Sequence, residues 1–390
     1  MQFGNFERVW ALGDGITLGD GLTLNEYIGA YHTFIRRQAS KSRYPTFSVL
    51  LEYFGDISPY VKSVNCNMMI TDSLHQPTYG RGNIIIYDKA GIYTDGGRSL
   101  IDENFKVFIF AGFNDDNIPI WAGRVTDAKA DTDKHEVNIA LAQDGHILAN
   151  RTTSGSFSAY NTAKTLTDYL CGLAGLAKPI YENESGQPTG VTFGNSFQEN
   201  NRSYWAMVYG ACLNIFYIPI FDVNGVLNLK RRDSFNDVDF LYNDSNIEYM
   251  KYLEEAEMIN RKTIDYTNPV RFEFELGDGV QIGQRSKSAQ NSYSIAQWNE
   301  KSDYETDPFI GTWTRAEAIT DQVLDFYPYR RALYEVRSPG IPQLELLDRV
   351  RVRYEKQNIQ GKFIVMGRRH EITPGNHVTT DKLLSSGERL

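Results

Sequence analysis

Lys106-Val107-Phe108-Ile109-Phe110, the polar turn Asn114-Asp115-Asp116-Asn117, and Ile120-Trp121-Ala122-Gly123-Arg124-Val125 read as a strand, a tight turn and a second strand. The same device returns far along the chain. There Arg349-Val350-Arg351-Val352-Arg353-Tyr354 leads through Glu355-Lys356-Gln357-Asn358 into Ile359-Gln360-Gly361-Lys362-Phe363-Ile364-Val365. Each second strand carries a Gly-basic-hydrophobic triplet, Gly123-Arg124-Val125 or Gly361-Lys362-Phe363. A β-module used twice implies a scaffold with quasi-symmetry, not a fold wrapped round one catalytic cleft.

Around the first copy the signals are mostly β. Ser48–Tyr53 and Asn83–Tyr87 read as strands. His135–Leu141 alternates, with Val137, Ile139 and Leu141 on one face. No helical pattern separates these runs, which favours antiparallel pairing over a βαβ fold. Around the second copy, Arg271–Leu276 alternates, and Tyr329–Val336 is a further strand. The Ser-, Gln- and Asn-rich residues 277–294 read as a long loop. Thr314–Tyr327 reads as a helix with a Thr314/Glu317 capping box and an apolar stripe of Ala316, Ile319, Val323 and Phe326. In the second copy Val350, Val352 and Tyr354 face a core, while Arg349, Arg351 and Arg353 face a solvated edge or an acidic partner.

Between the copies the period changes. Asn161 reads as the cap of a helix through Leu166, Leu170 and Leu173, and Ser203 as the cap of a second one. Phe216–Phe221 and Val226–Lys230 flank Asn224-Gly225, a strong hairpin signal. Glu254-Glu255-Ala256-Glu257 reads as a charged helix face or linker. The fold class expected is therefore α+β, mainly β: two related antiparallel β-barrel domains with a small α+β domain inserted. The expected divisions are an arm at 1–45, a first barrel at 46–153, the insert at 154–255 and a second barrel at 256–390. The arm holds the repeat Leu12–Thr17/Leu18–Thr23, read as turns, and the basic cluster Arg36, Arg37, Lys41 and Arg43.

Composition excludes several classes. With 41% hydrophobic and 23% charged residues, the chain is globular rather than disordered. A net charge of −9 argues against a sequence-reading nucleic-acid binder. No signal peptide and no membrane-spanning run is expected. Cys66, Cys171 and Cys212 are odd in number and far apart, so they read as free core thiols.

Chemistry is sparse. There is no Gly-x-Ser-x-Gly elbow, no metal-spaced pair among His32, His75, His135, His146, His370 and His377, and no phosphate loop. Asp127, Asp131 and Asp133 lack the Gly and terminal Glu of a calcium loop. Trp298 and Trp313 suit burial better than glycan stacking. No catalytic, cofactor or metal residue is assigned, and the chain is not expected to be an enzyme.

The order of the pieces resembles the baseplate hub, or tail-associated, proteins of long-tailed bacteriophages and related injection particles. Gly82–Asp88, Val107–Phe110 and Ile118–Val125 are similar to the family's first barrel. Thr162–Leu176, Tyr204–Met207 and Phe221–Gly225 are similar to its inserted domain. Leu346–Val352 with Gly361–Val365 is similar to its second barrel, with Leu347 where the family usually has Gly. The resemblance covers about Thr46 to Thr380. It implies a structural homotrimer at the tail tip, synthesised in the host cytoplasm, that matches a six-fold tail tube to a three-fold spike or fibre. The implied partners are copies of itself, the tube or distal-tail protein, the spike or fibre, the tape-measure protein, and DNA passing without sequence-specific contact. The alternatives are a distal-tail ring or a receptor- or glycan-binding adaptor. A tail-associated cell-wall hydrolase is disfavoured, since the chain ends soon after the second barrel.

Overall fold

The computed structural model describes residues 44–70, 78–114, 116–156, 162–182, 198–231, 236–255, 258–274, 277–307, 313–327 and 331–385. The arm with its Leu12–Thr23 repeat and Arg36–Arg43 cluster, His32, His75 and Asn161 lie outside them.

The N-terminal strands are β1 (Pro45–Leu51), β2 (Gly55–Asp56), β3 (Val61–Met69), β4 (Arg81–Tyr87), the small pair β5 (Thr94–Asp95) and β6 (Arg98–Ser99), β7 (Lys106–Phe113), β8 (Asp116–Asp131) and β9 (Glu136–Ala142). A mixed section follows: α1 (Gly145–Asn150), β10 (Thr152–Ser156), α2 (Ala163–Ala174), β11 (Ile180–Tyr181), β12 (Gln198–Ser203), α3 (Tyr204–Asn214), β13 (Tyr217–Phe221) and β14 (Leu227–Arg231). The remainder holds β15 (Asn236–Asn243), β16 (Tyr249–Glu255), β17 (Arg261–Phe274), β18 (Gly277–Gln290), α4 (Ser292–Trp298), β19 (Ser302–Asp307), α5 (Trp313–Phe326), β20 (Ala332–Pro339), β21 (Asp348–Tyr354), β22 (Ile359–Thr373) and β23 (Asn376–Ser385).

Thirteen strands form one sheet. Its main path is β16-β20-β23-β22-β3-β4-β9-β8-β7-β1-β2, with β21 on β22 and β15 on β21. The path has open ends, so the ladder is not a pair of closed barrels. Strand length explains this. The fifteen-residue β22 outruns the seven-residue β21, and its leftover edge is taken by β3 of the other half.

The duplication read from the two devices is present in the topology. One half runs β7-β8-β9-β4-β3, and the other runs β21-β22-β23-β20-β16. Both sets follow the same chain order, and all their internal pairings are antiparallel. Each long strand has a bulge at the matching place, after Val125 in β8 and after Val365 in β22. The hairpin turns contain a left-handed asparagine each, Asn114 (φ 55°) and Asn358 (φ 53°). A sixth strand lies beside each set with opposite direction: β1 is antiparallel to β7, and β15 is parallel to β21.

Setting the ladders in register at their bulges aligns Val107 with Val350, and Gly123 with Phe363. The two glycine triplets are therefore offset by two residues. In one half Trp121 fills the space beside Gly123; in the other Gly361 stands beside the buried Phe363. An ideal Cβ on Gly123 would lie 2.4 Å from the Ala142 carbonyl oxygen and 2.5 Å from the Trp121 ring. The glycine is there because backbone and indole already occupy that space.

The mixed section has its own core of Leu166, Leu170, Trp205, Val208 and Phe221. Thr162, not Asn161, caps α2, accepting from the Thr165 amide in a capping box. Ser203 caps α3 as expected. β13 and β14 form the hairpin that Asn224-Gly225 announces, with Gly225 at φ 79°.

Several expectations are corrected. Residues 277–290 are not a loop but β18, paired with β17 along its whole length, and α4 follows. Their Ser, Gln and Gly content hides a strand that pairs along its whole length. Glu254 and Glu255 end β16 instead of lying on a helix. Thr314 sits inside α5, which begins at Trp313, so it is not the cap. β21 lies between β15 and β22, so its arginines mark an outer face, not an edge. Strands β15 and β16 fall within 154–255 and pair with β21 and β20.

Candidate assembly interface

The functional geometry centres on the seam that makes two strand sets one body. Gly367–Ile372 of β22 pairs with Met69–Val64 of β3. The inner-face pairs Ile372–Val64, His370–Cys66 and Arg368–Met68 are all buried. Trp121 of β8 locks onto β3 from the same side, its fully buried indole N–H donating to the Asn67 carbonyl (3.1 Å).

Two polar groups sit at core positions of this seam. The Arg368 Nε donates to Asp381 Oδ1 (2.8 Å), and both side chains are fully buried. Its other N–H groups bind the carbonyls of Leu344 and Ile341, and Tyr242 Oη donates to the second Asp381 oxygen. The clamp therefore ties β15, β22, β23 and the loop 340–347 together. Desolvating the ion pair is costly, and the carbonyls and the phenol offset that by satisfying the remaining donors and acceptor. Burial, reinforced by the Asp381 charge, holds the Tyr242 phenol far above its usual range.

Beside the clamp, His370 Nδ1 and His377 Nε2 lie 3.0 Å apart. Burial, then the Arg368 charge, pushes both imidazoles down, His377 to about 3. Both are neutral at pH 7, and one donates to the other. Gly340 lies against the His377 ring, where a Cβ would come within 2.2 Å of Nδ1.

The tip of the β13–β14 hairpin touches both halves. Asp222 accepts from the amides of Asn224 and Val226 (2.9 Å each) and from Asn228 Nδ2 (3.1 Å). Ile220 and Val223 join a core shared by both halves, and Gly225 abuts Ala122. A small cavity there is walled by Met68, Asp222, Lys230 and Glu345, one wall from each part of the chain. The loop 340–347 ends at Leu347, whose φ is 69° although it is a buried leucine. This is the position where the resemblance implied glycine, and the backbone there is left-handed.

The remaining candidates are dispersed. Asp127 pairs with Lys129 (2.6 Å) and Asp131 with Lys134 (2.8 Å), as charges of an exposed strand end. His135 occupies a left-handed turn position and His146 begins α1. The three cysteines are buried and unbonded to one another. Trp313 is 49% exposed and Trp298 partly buried. A polar cleft of about 620 Å³ between β8, β9 and α1 is walled by Arg81, Glu103, Thr126, His146 and Arg151. Among the described residues no group of three His, Cys, Asp or Glu could hold a metal ion, and no helix is long and apolar enough to cross a membrane. The clamp was missed by sequence reading. Its signal, Arg368 and His370 alternating with the buried Ile372, is masked by the bulge after Val365, which puts them on the face of Phe363 and Val365.

No family model and no curated protein matches this sequence. Solved structures do. The 43 kDa tail protein of prophage MuSo2 from Shewanella oneidensis is similar at TM-score 0.59 and 12% identity, over 88% of this chain and 99% of that one. A tail protein from Neisseria meningitidis MC58 gives 0.57 and 11%, over 88% and 97%. Prophage tail protein gp18 from Listeria monocytogenes EGD-e gives 0.50 and 12%, over 89% and 96%. At these identities the likeness is one of fold. The chain has the fold of phage tail proteins, as the resemblance in its sequence implied.

Proposed function

We propose that this protein is a structural, non-enzymatic hub of a phage tail tip or baseplate, acting as a homotrimer within the virion. The observation that carries this reading is the duplicated five-strand set, fused by a buried seam into one sheet. Two like modules per chain let three chains present six similar surfaces to a six-fold tube and three to a spike or fibre. We take the two sets as two β-domains on either side of the mixed section, whose Asp222 hairpin tip contacts both. Such a ring encloses a channel for tape-measure protein and DNA, and the chain's net charge of −9 suits a wall that does not retain a polyanion. Light scattering or native mass spectrometry of the purified chain tests the stoichiometry. A particle of three times the 44.4 kDa chain mass is expected. A monomer that also ignores tail-tube protein would defeat the reading.

A further inference from the structure

The internal seam shows how the two strand sets join, and the duplication says which edges remain to be joined. In the second set, β22 is flanked on one side by β23 and on the other by β21 and then β3. In the first set, β8 is flanked on one side by β9 and on the other by β7, whose ladder ends at Arg124. Beyond it, Asp127–Asp131 of β8 corresponds to Gly367–Glu371 of β22. Among the described residues, no strand pairs with that second edge. The β5–β6 pair approaches its far end, with Gly97 beside Thr132, yet pairs only within itself. The counterpart of β3 is β16, which has β20 on one edge and, among the described residues, no strand on the other.

We infer that Asp127–Asp131 of one copy pairs antiparallel with Lys251–Glu255 of the next, reproducing between chains the seam seen within one. This rests on the trimeric reading and names its interface. The register follows from two facts: His370 opposes Cys66, and the ladders align Cys66 with Tyr252 and His370 with Ala130. Ala130 then faces Tyr252, and Asp131 faces Lys251. The chemistry fits. Tyr252 is 49% exposed on a strand that, among the described residues, has β20 at one edge only; its ring rests edge-on against Tyr334 and would also cover the small side chains of Ala128 and Ala130. Lys251 is exposed and meets Asp131, a carboxylate that Lys134 already holds at 2.8 Å within its own chain. Asp127, which meets the acidic end of β16, is already neutralised by Lys129. The contact joins unlike surfaces head to tail, the kind of interface that closes into a ring when its rotation is a whole fraction of a turn.

The test is the full-length double variant Ala130→Cys/Tyr252→Cys, treated with a short bis-maleimide, beside each single variant and the untreated wild type. The three native thiols are buried and serve as a quiet background. The expected result is a cross-linked ladder ending at three chains in the double variant, with neither single variant passing background. In a second arm, Lys251→Asp and Asp131→Lys each reduce the assembled fraction several-fold, and the pair restores it. A trimeric wild type whose double variant is also trimeric but never cross-links between chains overturns the edge pairing and leaves the hub reading standing. A wild type that is monomeric overturns the hub reading itself. A bond formed inside one chain, or trimers that appear only after removal of residues 1–43, would mean that the edge has another occupant, and would also overturn the inference.

Discussion

The two strand sets share order, direction and bulges, yet differ in what fills their cores at the same register. Ala128 faces Ile139 and Ala130 faces Val137 in the first set; Arg368 faces Asp381 and His370 faces Thr379 in the second. One core is apolar where the other holds a buried ion pair and a histidine pair. The difference follows the seam. The second set's strand is covered by β3, and its polar groups find partners in Tyr242 and in the carbonyls of loop 340–347. The first set's strand keeps small side chains at an edge that the β5–β6 pair touches and that no described strand pairs with. Topology was thus duplicated while side chains diverged with what lies alongside: β3 covers one strand, and no described strand pairs with the matching edge of the other.

The strongest way to break this comparison is to make the second core resemble the first. Asp381→Leu alone leaves Arg368 charged and buried, and should cost about 3–5 kcal/mol in urea unfolding. The triple change Tyr242→Phe/Arg368→Met/Asp381→Leu removes the buried charges and the phenol, leaving only the Leu344 and Ile341 carbonyls without their donor, and should recover part of that loss. A triple variant as unstable as the single one would mean that the clamp does more than satisfy itself.

Gly123→Ala tests the opposite direction, since the register partner Phe363 is large. Crowding against Trp121 and the Ala142 carbonyl should cost about 1–3 kcal/mol. Adding Trp121→Phe should relieve part of it, read from the same unfolding curves.

The histidine pair sharpens the contrast with pH. His377 is neutral in the fold with its pKa pushed to about 3, while the unfolded chain takes up a proton near 6.5. Wild-type stability therefore falls as pH drops from 6.5 towards 3, by roughly 2 kcal/mol at pH 5 from this group. His377→Gln should lack that contribution, so the gap between variant and wild type narrows on acidification. Asp348 acts in the opposite sense. Burial raises its carboxyl to about 7, and it stabilises as pH falls below that value. The variant must therefore be compared with wild type at each pH.

The smallest effect is expected at Leu347→Gly. Relief of the left-handed backbone returns about 1 kcal/mol, and loss of a buried leucine removes about 2–3 kcal/mol, leaving a net loss of about 1–2 kcal/mol by thermal unfolding. A net gain would mean that the side chain contributes little at the seam.

Much of the fold was legible in the sequence because local rules wrote it. Alternation marked β7, β9 and β21, Asn224-Gly225 marked a hairpin, and Ser203 marked a cap. β18 was hidden because its pairing is held by backbone bonds along a polar sequence. The seam was hidden because it pairs β22 with β3, which lies at the other end of the chain, and no local pattern records that. The matching glycines revealed the repeat although they are not equivalent positions, since Gly123 corresponds to Phe363. The assembly surface was legible only as an idea of six from three. Its residues needed the register of both ladders.

The central claim is that like modules in one chain let three copies act as six. Averaged electron-microscope projections of the purified full-length protein test it most directly. The account predicts an end-on ring with six similar lobes round a channel and true three-fold symmetry. Averages of a compact single chain, or of a ring whose lobes do not number six, would contradict it.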